Sequence, residues 1–524
     1  MTTPPPPAAP PARGNHIEQL ARALPDGVAL REGEHALTWS AWNDQANRLA
    51  DALAARGLGA GDRVALRMLN RIEWFVVDAA LSKLGAVRVA ISQRLKAPEV
   101  RHIVVDSGAR AIFVDDEDVA ALLPAFHDNP KLVLKVGLFG SAEGVDAYAA
   151  LLDAGAPTER FSEAAAQSVV YTSGTTGAPK GVARTAAQSA EKRELVRRLG
   201  DDLRRSIPYQ RGDRNLLAAP LNHAAGPSSA LATHARGGSV VLLRRFDPEE
   251  ALRLIAKHRI TVSFLVPTML NRIVNLPEEV RAQYDVSSMR IITTGASVCP
   301  ADLKRKVTAL FGPVLYDSYG ATECGLVTIF TPADLEKHAD SCGRLLDGIE
   351  VRVADDAGNA LPRGEVGTIY IRSGSTIAGY LGHGEGGDDF TADGFFTAGD
   401  VGKLDDESYL YILDRKKDMI IAGGVNLYPA EIEAALRAHP AVLDAAVFGV
   451  PHPDLGEQPH AVCERVPGKH VEAQELADFV AARLAKFKLP RAITFVDELP
   501  RNAAGKVLKR DLRAPFWAGS GRAI

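Results

Sequence analysis

Tyr171-Thr172-Ser173-Gly174-Thr175-Thr176-Gly177-Ala178-Pro179-Lys180-Gly181 is the stretch from which the fold can be read outward. Glycine lets backbone amides approach an anion, the hydroxyls add donors, and lysine supplies a positive point charge, so the segment suits a polyphosphate. Its composition also suits a plain surface loop. The apolar pair Val169-Val170 before it reads as the end of a buried strand, and open α/β sheets bind ligands at strand termini. A Walker A loop carries four residues between its glycines, then Lys and Ser/Thr. Here five residues separate Gly174 from Lys180, Pro179 precedes the lysine and Gly181 follows it, so that pattern fails.

A chain of 524 residues exceeds one ordinary core and predicts at least two domains. With 46% hydrophobic and 24% charged residues it has the composition of a globular protein, and a net charge of −4 gives no reason to expect nucleic acid as a partner. Cys299, Cys324, Cys342 and Cys463 have no metal-ligand spacing, which predicts a reducing compartment and no structural zinc. Residues 1–15, rich in proline and alanine, read as a disordered leader without a signal peptide's basic start or apolar core. No apolar run reaches membrane-spanning length, no targeting tail is recognisable, and a cytoplasmic location is the expectation.

After the leader, Trp42, Leu49 and Leu53 recur at helical spacing up to Arg56-Gly57. A strand over 64–68, a helix over 74–84, a strand over 86–91, a helix from Pro98 and a strand over 111–114 follow, as in parallel βαβ units. Gly57, Gly59 and Gly61 follow a helix and precede a strand, the reverse of a dinucleotide fingerprint, and read as a turn. The charged run 191–214 reads as a solvated helix. Alternation resumes with strands over 216–219, 239–243, 261–266, 290–294 and 314–316, and helices over 248–258, from Pro267, and over 301–310. These predict two doubly wound sheets. Short strands with glycine turns over 349–413, at 350–353, 367–371, 394–396 and 409–412, predict a small antiparallel β-barrel, and a charge run at 414–418 leads into a separate α+β unit. The expected domains are 16–415 and 416–524.

Three further motifs carry chemistry. Tyr319-Gly320-Ala321-Thr322-Glu323 follows a strand and offers an aromatic face for a base, a hydroxyl for phosphate and a carboxylate for Mg²⁺. Asp400, after Thr397-Ala398-Gly399, could accept both hydroxyls of a ribose, or serve only its turn. Pro500-Arg501-Asn502-Ala503-Ala504-Gly505-Lys506 presents one lysine among several basic neighbours.

Together with the 171–181 loop, these segments resemble, in order and spacing, the motifs of the adenylate-forming superfamily, which holds acyl-CoA synthetases, peptide-synthetase adenylation domains and firefly-type luciferases. The resemblance covers about residues 16–511 and implies a large ATP- and acid-binding domain with a small mobile α+β domain. It implies that Thr172, Ser173, Gly174, Thr175, Thr176, Gly177 and Lys180 grip the β- and γ-phosphates. Gly295, Ala296 and Ser297 with Tyr319 and Gly320 would flank adenine, Thr322 would meet the α-phosphate, and Glu323 would hold Mg²⁺. Asp400 would take the ribose, although this chain has Ala398 where the family usually has Thr before Gly-Asp, and Arg415 would meet ribose or phosphate. Lys417 would be the hinge, Gly423 and Gly424 would line the CoA thiol arm, and Lys506 would stabilise charge at the α-phosphate. His223, in Pro220-Leu221-Asn222-His223-Ala224-Ala225-Gly226, would gate the acyl pocket or be structural; Asn222 replaces the usual phenylalanine. The implied activity is an acid–CoA ligase using ATP, Mg²⁺ and CoA on a medium- or long-chain fatty acid or an aryl acid. A carrier-protein thiol as acceptor, an inactive binding homologue and a luciferase-like side activity are the alternatives. No carrier domain follows in the chain, and intact Glu323, Asp400 and Lys506 argue for activity.

Overall fold

The computed structural model describes residues 16–115, 119–126, 129–139, 142–163, 167–172, 179–184, 189–382, 387, 389–502 and 505–518. The expected leader and residues 173–178 of the glycine-rich loop lie outside them. Two compact units are formed: one from Met1–Ala186, Gln210–Leu217 and Leu221–Arg245, the other from Ala187–Tyr209, Ala218–Pro220 and Phe246–Ile524. Among the described residues no helix is long and apolar enough to cross a membrane.

In the first unit, helix Trp39–Ala55 starts where the Thr38 hydroxyl accepts the Ala41 N–H at 3.2 Å, and its buried face carries Trp39, Trp42, Ala46, Leu49, Ala50 and Leu53. The Trp42 indole donates to the Phe75 carbonyl at 3.1 Å, tying this helix to Ile72–Leu84. Seven strands form a sheet in the order Asp146–Ala147, Leu134–Gly137, Ala111–Val114, Arg63–Arg67, Val87–Ala90, Gln167–Thr172, Lys180–Arg184. All its pairings are parallel except the last. The short hairpin Val28–Glu32 with His35–Thr38 is not among the elements expected from the sequence, because Val28 and Thr38 are its only β-branched residues and it has no Phe, Tyr or Trp.

In the second unit, strands Val262–Phe264, Ile291–Thr294 and Leu315–Asp317 pair in parallel, with Thr294 opposite Asp317. The charged run becomes helix Ala190–Ser206, with Arg197 bonded to Glu194 and Asp201 on an exposed face. Where a small barrel is expected, there is a four-stranded antiparallel sheet in the order Glu350–Ala354, Gly367–Arg372, Asp400–Leu404, Leu410–Arg415, and among the described residues its outer strands do not pair to close it. Residue Phe396 joins it only through an isolated bridge to Ile371, so the expected strand at 394–396 does not form.

The C-terminal part has its own sheet, built on the long antiparallel pair Val442–His452 and Gly456–Arg465, with Ala492–Val496 added in parallel. Its core holds Ile420, Ile432, Leu436, Val447, Cys463, Leu476 and Val480.

Helix Ala301–Phe311 fixes the end of strand Leu315–Asp317 through a buried ion pair. Lys304 Nζ lies 3.0 Å from Asp317 Oδ2, donates to the Ser341 carbonyl at 2.7 Å, and sits 3.8 Å from the Phe330 ring centre. Removing one partner leaves the other charge buried and alone. Lys304→Ala is expected to lower unfolding stability by about 3–5 kcal/mol in denaturant titration; a loss below about 1 kcal/mol, the level of an exposed pair, would contradict this account.

Candidate active site

The register of Thr294 opposite Asp317 sets the two loops that follow side by side. The Ser318 hydroxyl donates to the Thr294 carbonyl at 3.0 Å. A Cβ on Gly295 would come within 2.7 Å of the Ser318 carbonyl oxygen, so only glycine fits there. Ala296 adopts φ = 68°, a left-handed conformation that costs a non-glycine residue about 1–3 kcal/mol and concentrates at functional sites. The loop Gly295, Ala296, Ser297 thus offers backbone held against its preference.

Gly320–Ala321 and Gly325–Leu326 form a tight hairpin whose tip is Thr322, Glu323 and Cys324; a Cβ on Gly320 would collide with the Gly325 carbonyl. The Glu323 carboxylate is buried and hydrogen-bonded with the Tyr380 phenol, which also donates to Asp389 Oδ2 at 3.2 Å. A phenol has one proton for two carboxylates, and burial with both charges holds the Tyr380 phenol well above its ordinary range. Neither Tyr380 nor Asp389 is identifiable from the sequence, since each is distant from Glu323 and sits in an unremarkable turn.

Antiparallel pairing sets Asp400 opposite Arg415. Asp400 Oδ1 is 3.2 Å from Arg415 Nε, and Oδ2 accepts the Tyr319 hydroxyl at 2.7 Å. Burial and then Asp400 raise the Tyr319 phenol well above its usual range, so it stays a donor.

Lys506 enters the same field from a turn closed by Asn502, whose N–H donates to the Lys506 carbonyl at 2.9 Å and whose Oδ1 accepts the Lys506 N–H at 3.0 Å. Burial, then the nearby Arg415, lower the Lys506 amine to about 8; Lys417 adds to this, while Asp418 and Asp400 oppose it. Partial desolvation and the cations Arg415, Arg513 and Arg510 likewise lower Lys417, against Asp418. Lys506, Asp400, Arg415 and Tyr319 are therefore one electrostatic cluster. Gly423 and Gly424 form the two-residue turn between Ile420–Ala422 and Val425–Leu427, with φ of 58° and 80°, as a tight hairpin demands.

In the other unit, Thr172 and Lys180 face each other across the antiparallel pair, whereas Ser173, Gly174, Thr175, Thr176 and Gly177 lie outside the described residues. The return strand Lys180–Arg184 is absent from the sequence expectations. Among the described residues no hydrogen-bond partner meets the buried His223 Nε2. Burial, then Arg94, lowers its imidazole, leaving it neutral at pH 7 with a ring nitrogen available to a ligand.

Among the described residues no group of three or more His, Cys, Asp or Glu forms a metal cage. A buried carboxylate such as Glu323 nonetheless fits Mg²⁺, a hard ion that completes its shell with phosphate oxygens and water.

The chain matches the AMP-binding enzyme family over residues 17–381 and the AMP-binding enzyme C-terminal domain over residues 431–506. It is 35% identical over 488 residues to the long-chain-fatty-acid–CoA ligase FadD13 of Mycobacterium tuberculosis, covering 92% of this chain and 93% of that protein. It is 34% identical over 504 residues to the fatty acid–[acyl-carrier-protein] ligase ScoC of Streptomyces coeruleorubidus, covering 95% of each. The crystal structure of the anthranilate CoA ligase AuaEII with anthranoyl-AMP superposes with a TM-score of 0.87 at 27% identity, over 98% of this chain and 99% of that one.

The neutral amine is the reactive form of lysine. Competitive acylation of Lys506 in the nucleotide-free protein should therefore rise with pH about a midpoint near 8; a midpoint at the ordinary lysine value of about 10.4 would contradict the cluster.

Proposed function

The chain belongs to the AMP-binding enzyme family and is an ATP-dependent, AMP-forming acid–thiol ligase, and from that premise we propose that it is a carboxylic acid–CoA ligase working in two steps at the residues described above. The acid's carboxylate oxygen attacks the α-phosphorus of ATP, the bond to the β-phosphate breaks, and pyrophosphate leaves with its electron pair. The CoA thiolate then attacks the carbonyl of the acyl-adenylate and AMP departs.

The observation that carries the site assignment is the shared field of Lys506, Asp400 and Arg415. Asp400 takes the two ribose hydroxyls on lone pairs left over from Tyr319 and Arg415, because a carboxylate has about four acceptor positions. Tyr319, held by its phenol, gives its ring face to adenine, and the strained 295–297 loop supplies the other wall. Thr322 donates to the α-phosphate. Mg²⁺ at Glu323 would neutralise phosphate charge, with Tyr380 fixing the carboxylate. Thr172 and Lys180 bind the departing pyrophosphate.

Lys506 acts where negative charge grows in the transition state; losing such a donor costs roughly 10²–10³ in turnover. A polyanion also favours the ammonium form of an amine lowered by burial and cation neighbours. The domains divide at 415/416, and rotation about Lys417 then withdraws Lys506 and brings Gly423 and Gly424 to the thiol arm.

His223, neutral and without a hydrogen-bond partner at Nε2 among the described residues, bounds the acyl pocket. The acid is a medium- or long-chain fatty acid or an aryl acid, supported by the likeness to FadD13 and AuaEII. The likeness to ScoC favours a carrier-protein thiol as the second reading of the acceptor. A reducing, cytoplasmic location is supported by four buried cysteines, none of them in a disulfide.

A panel of short, medium, long-chain and aryl acids should show ATP-dependent pyrophosphate release, with acyl-CoA formed when CoA is present. Adenylate that accumulates without CoA acylation would move the acceptor to a carrier thiol. Lys506→Ala should slow adenylation by about 10²–10³ while thioester formation from supplied acyl-adenylate persists; equal loss of both would refute the division of labour.

A further inference from the structure

The two long strands of the C-terminal sheet place Asp444 directly opposite Glu464. Their carboxylates are buried, at 12% and 4% side-chain exposure, and like charges facing each other across an antiparallel pair repel. One guanidinium spans them: Arg501 Nη2 lies 2.7 Å from Asp444 Oδ2 and 3.3 Å from Glu464 Oε2. Asp444 also faces Arg437 Nη1 at 3.3 Å and accepts the Ala445 N–H at 2.8 Å, while Glu464 accepts the Leu499 N–H at 3.1 Å. Burial would raise the Asp444 carboxyl, but Arg437 and Arg501 hold it below its ordinary value, so Asp444 stays ionised.

The same guanidinium does more than neutralise the sheet. Its Nη1 donates to the Gly505 carbonyl at 3.2 Å, the carbonyl immediately before Lys506. Arg501 also bridges Val507 through the backbone, and the Leu508 N–H donates to the Pro500 carbonyl at 2.8 Å. Gly505 has φ = 80°, and a Cβ there would lie 2.8 Å from the Thr268 hydroxyl oxygen, so a side chain at this position would be strained.

We propose that Arg501 is a positioning residue for adenylate formation: by tying the Asp444 and Glu464 carboxylates to the Gly505 carbonyl, it fixes the turn from which Lys506 reaches the reacting phosphate. The proposal rests on the assignment of Lys506 to the first half-reaction. A planar fork is required, because an ammonium at the end of a flexible stem does not reproduce its fixed directions. Misplacement of a reacting group by 1 Å costs on the order of 10²-fold in rate.

The test compares Arg501→Lys, Arg501→Gln and Lys506→Ala in the full-length protein, measuring acid-dependent pyrophosphate release and, separately, thioester formation from supplied acyl-adenylate and CoA. Arg501→Lys keeps a charge between the carboxylates and should slow the kcat of adenylation by about 10- to 100-fold, with the KM for ATP within about threefold and thioester formation nearly unchanged. Arg501→Gln should lose adenylation further, and Lys between them marks partial rescue. Persistence of the second half-reaction shows that the C-terminal sheet is folded. Unaltered adenylation in Arg501→Lys overturns the proposal, as does a parallel loss of both half-reactions in Arg501→Lys and Arg501→Gln, which marks a purely structural ion pair. If Lys506→Ala adenylates normally, the assignment of Lys506 fails and the positioning role with it; if only Lys506→Ala is impaired, that assignment stands and Arg501 has no part in it.

Discussion

A carboxylate at 6% exposure, Asp400, held between the Tyr319 phenol and the Arg415 guanidinium, is the constraint on which the nucleotide-side arrangement depends. An ion removed from water to this degree is stable only when its lone pairs are answered by donors. The answer requires three chain segments to arrive together: the loop after strand Leu315–Asp317, the first residue of Asp400–Leu404 and the last of Leu410–Arg415. Beneath the first of them, the Lys304–Asp317 pair fixes the strand end from which Ser318 and Tyr319 depart. Lys506 then joins a field that already contains Arg415 and Lys417, which together with burial lower its amine to about 8. Under the proposed assignment, an anionic substrate beside Lys506 would favour its ammonium form.

The backbone follows the same logic. Gly295 against Ser318 and Gly320 against Gly325 leave no room for a side chain at either position, and Ala296 between these loops sits at φ = 68°. The strain at Ala296 is maintained by its surroundings, and its coincidence with the Tyr319 loop is what makes it functionally informative.

Much of this was legible in residue patterns. Helix Pro248–His258 begins where Asp247 accepts the Glu250 N–H at 2.8 Å and Pro248 takes the first turn, a start signal visible in the chain. Strand Ala111–Val114 reads as a buried apolar run because it is covered on both faces of a parallel sheet. What escaped the sequence depends on distant partners. The strands Lys180–Arg184 and Val28–Glu32 are set by pairing rather than by composition, and where four strand signals predict a barrel the described residues form a four-stranded sheet, because pairing order is not encoded in strand propensity. In the site, Tyr319, Asp400 and Lys506 stand in motifs, whereas the bonds Tyr319–Asp400, Tyr380–Glu323 and Arg501–Gly505 carry no local signature.

The central claim is that the acid's own oxygen attacks the α-phosphate of ATP. The most direct measurement is turnover of an ¹⁸O-carboxylate-labelled acid with ATP and CoA, followed by mass analysis of the nucleotide product. Attack at the α-phosphate followed by thiolysis at the carbonyl leaves one labelled oxygen on AMP and none in pyrophosphate. Unlabelled AMP, or label recovered in inorganic phosphate beside ADP, would contradict the account.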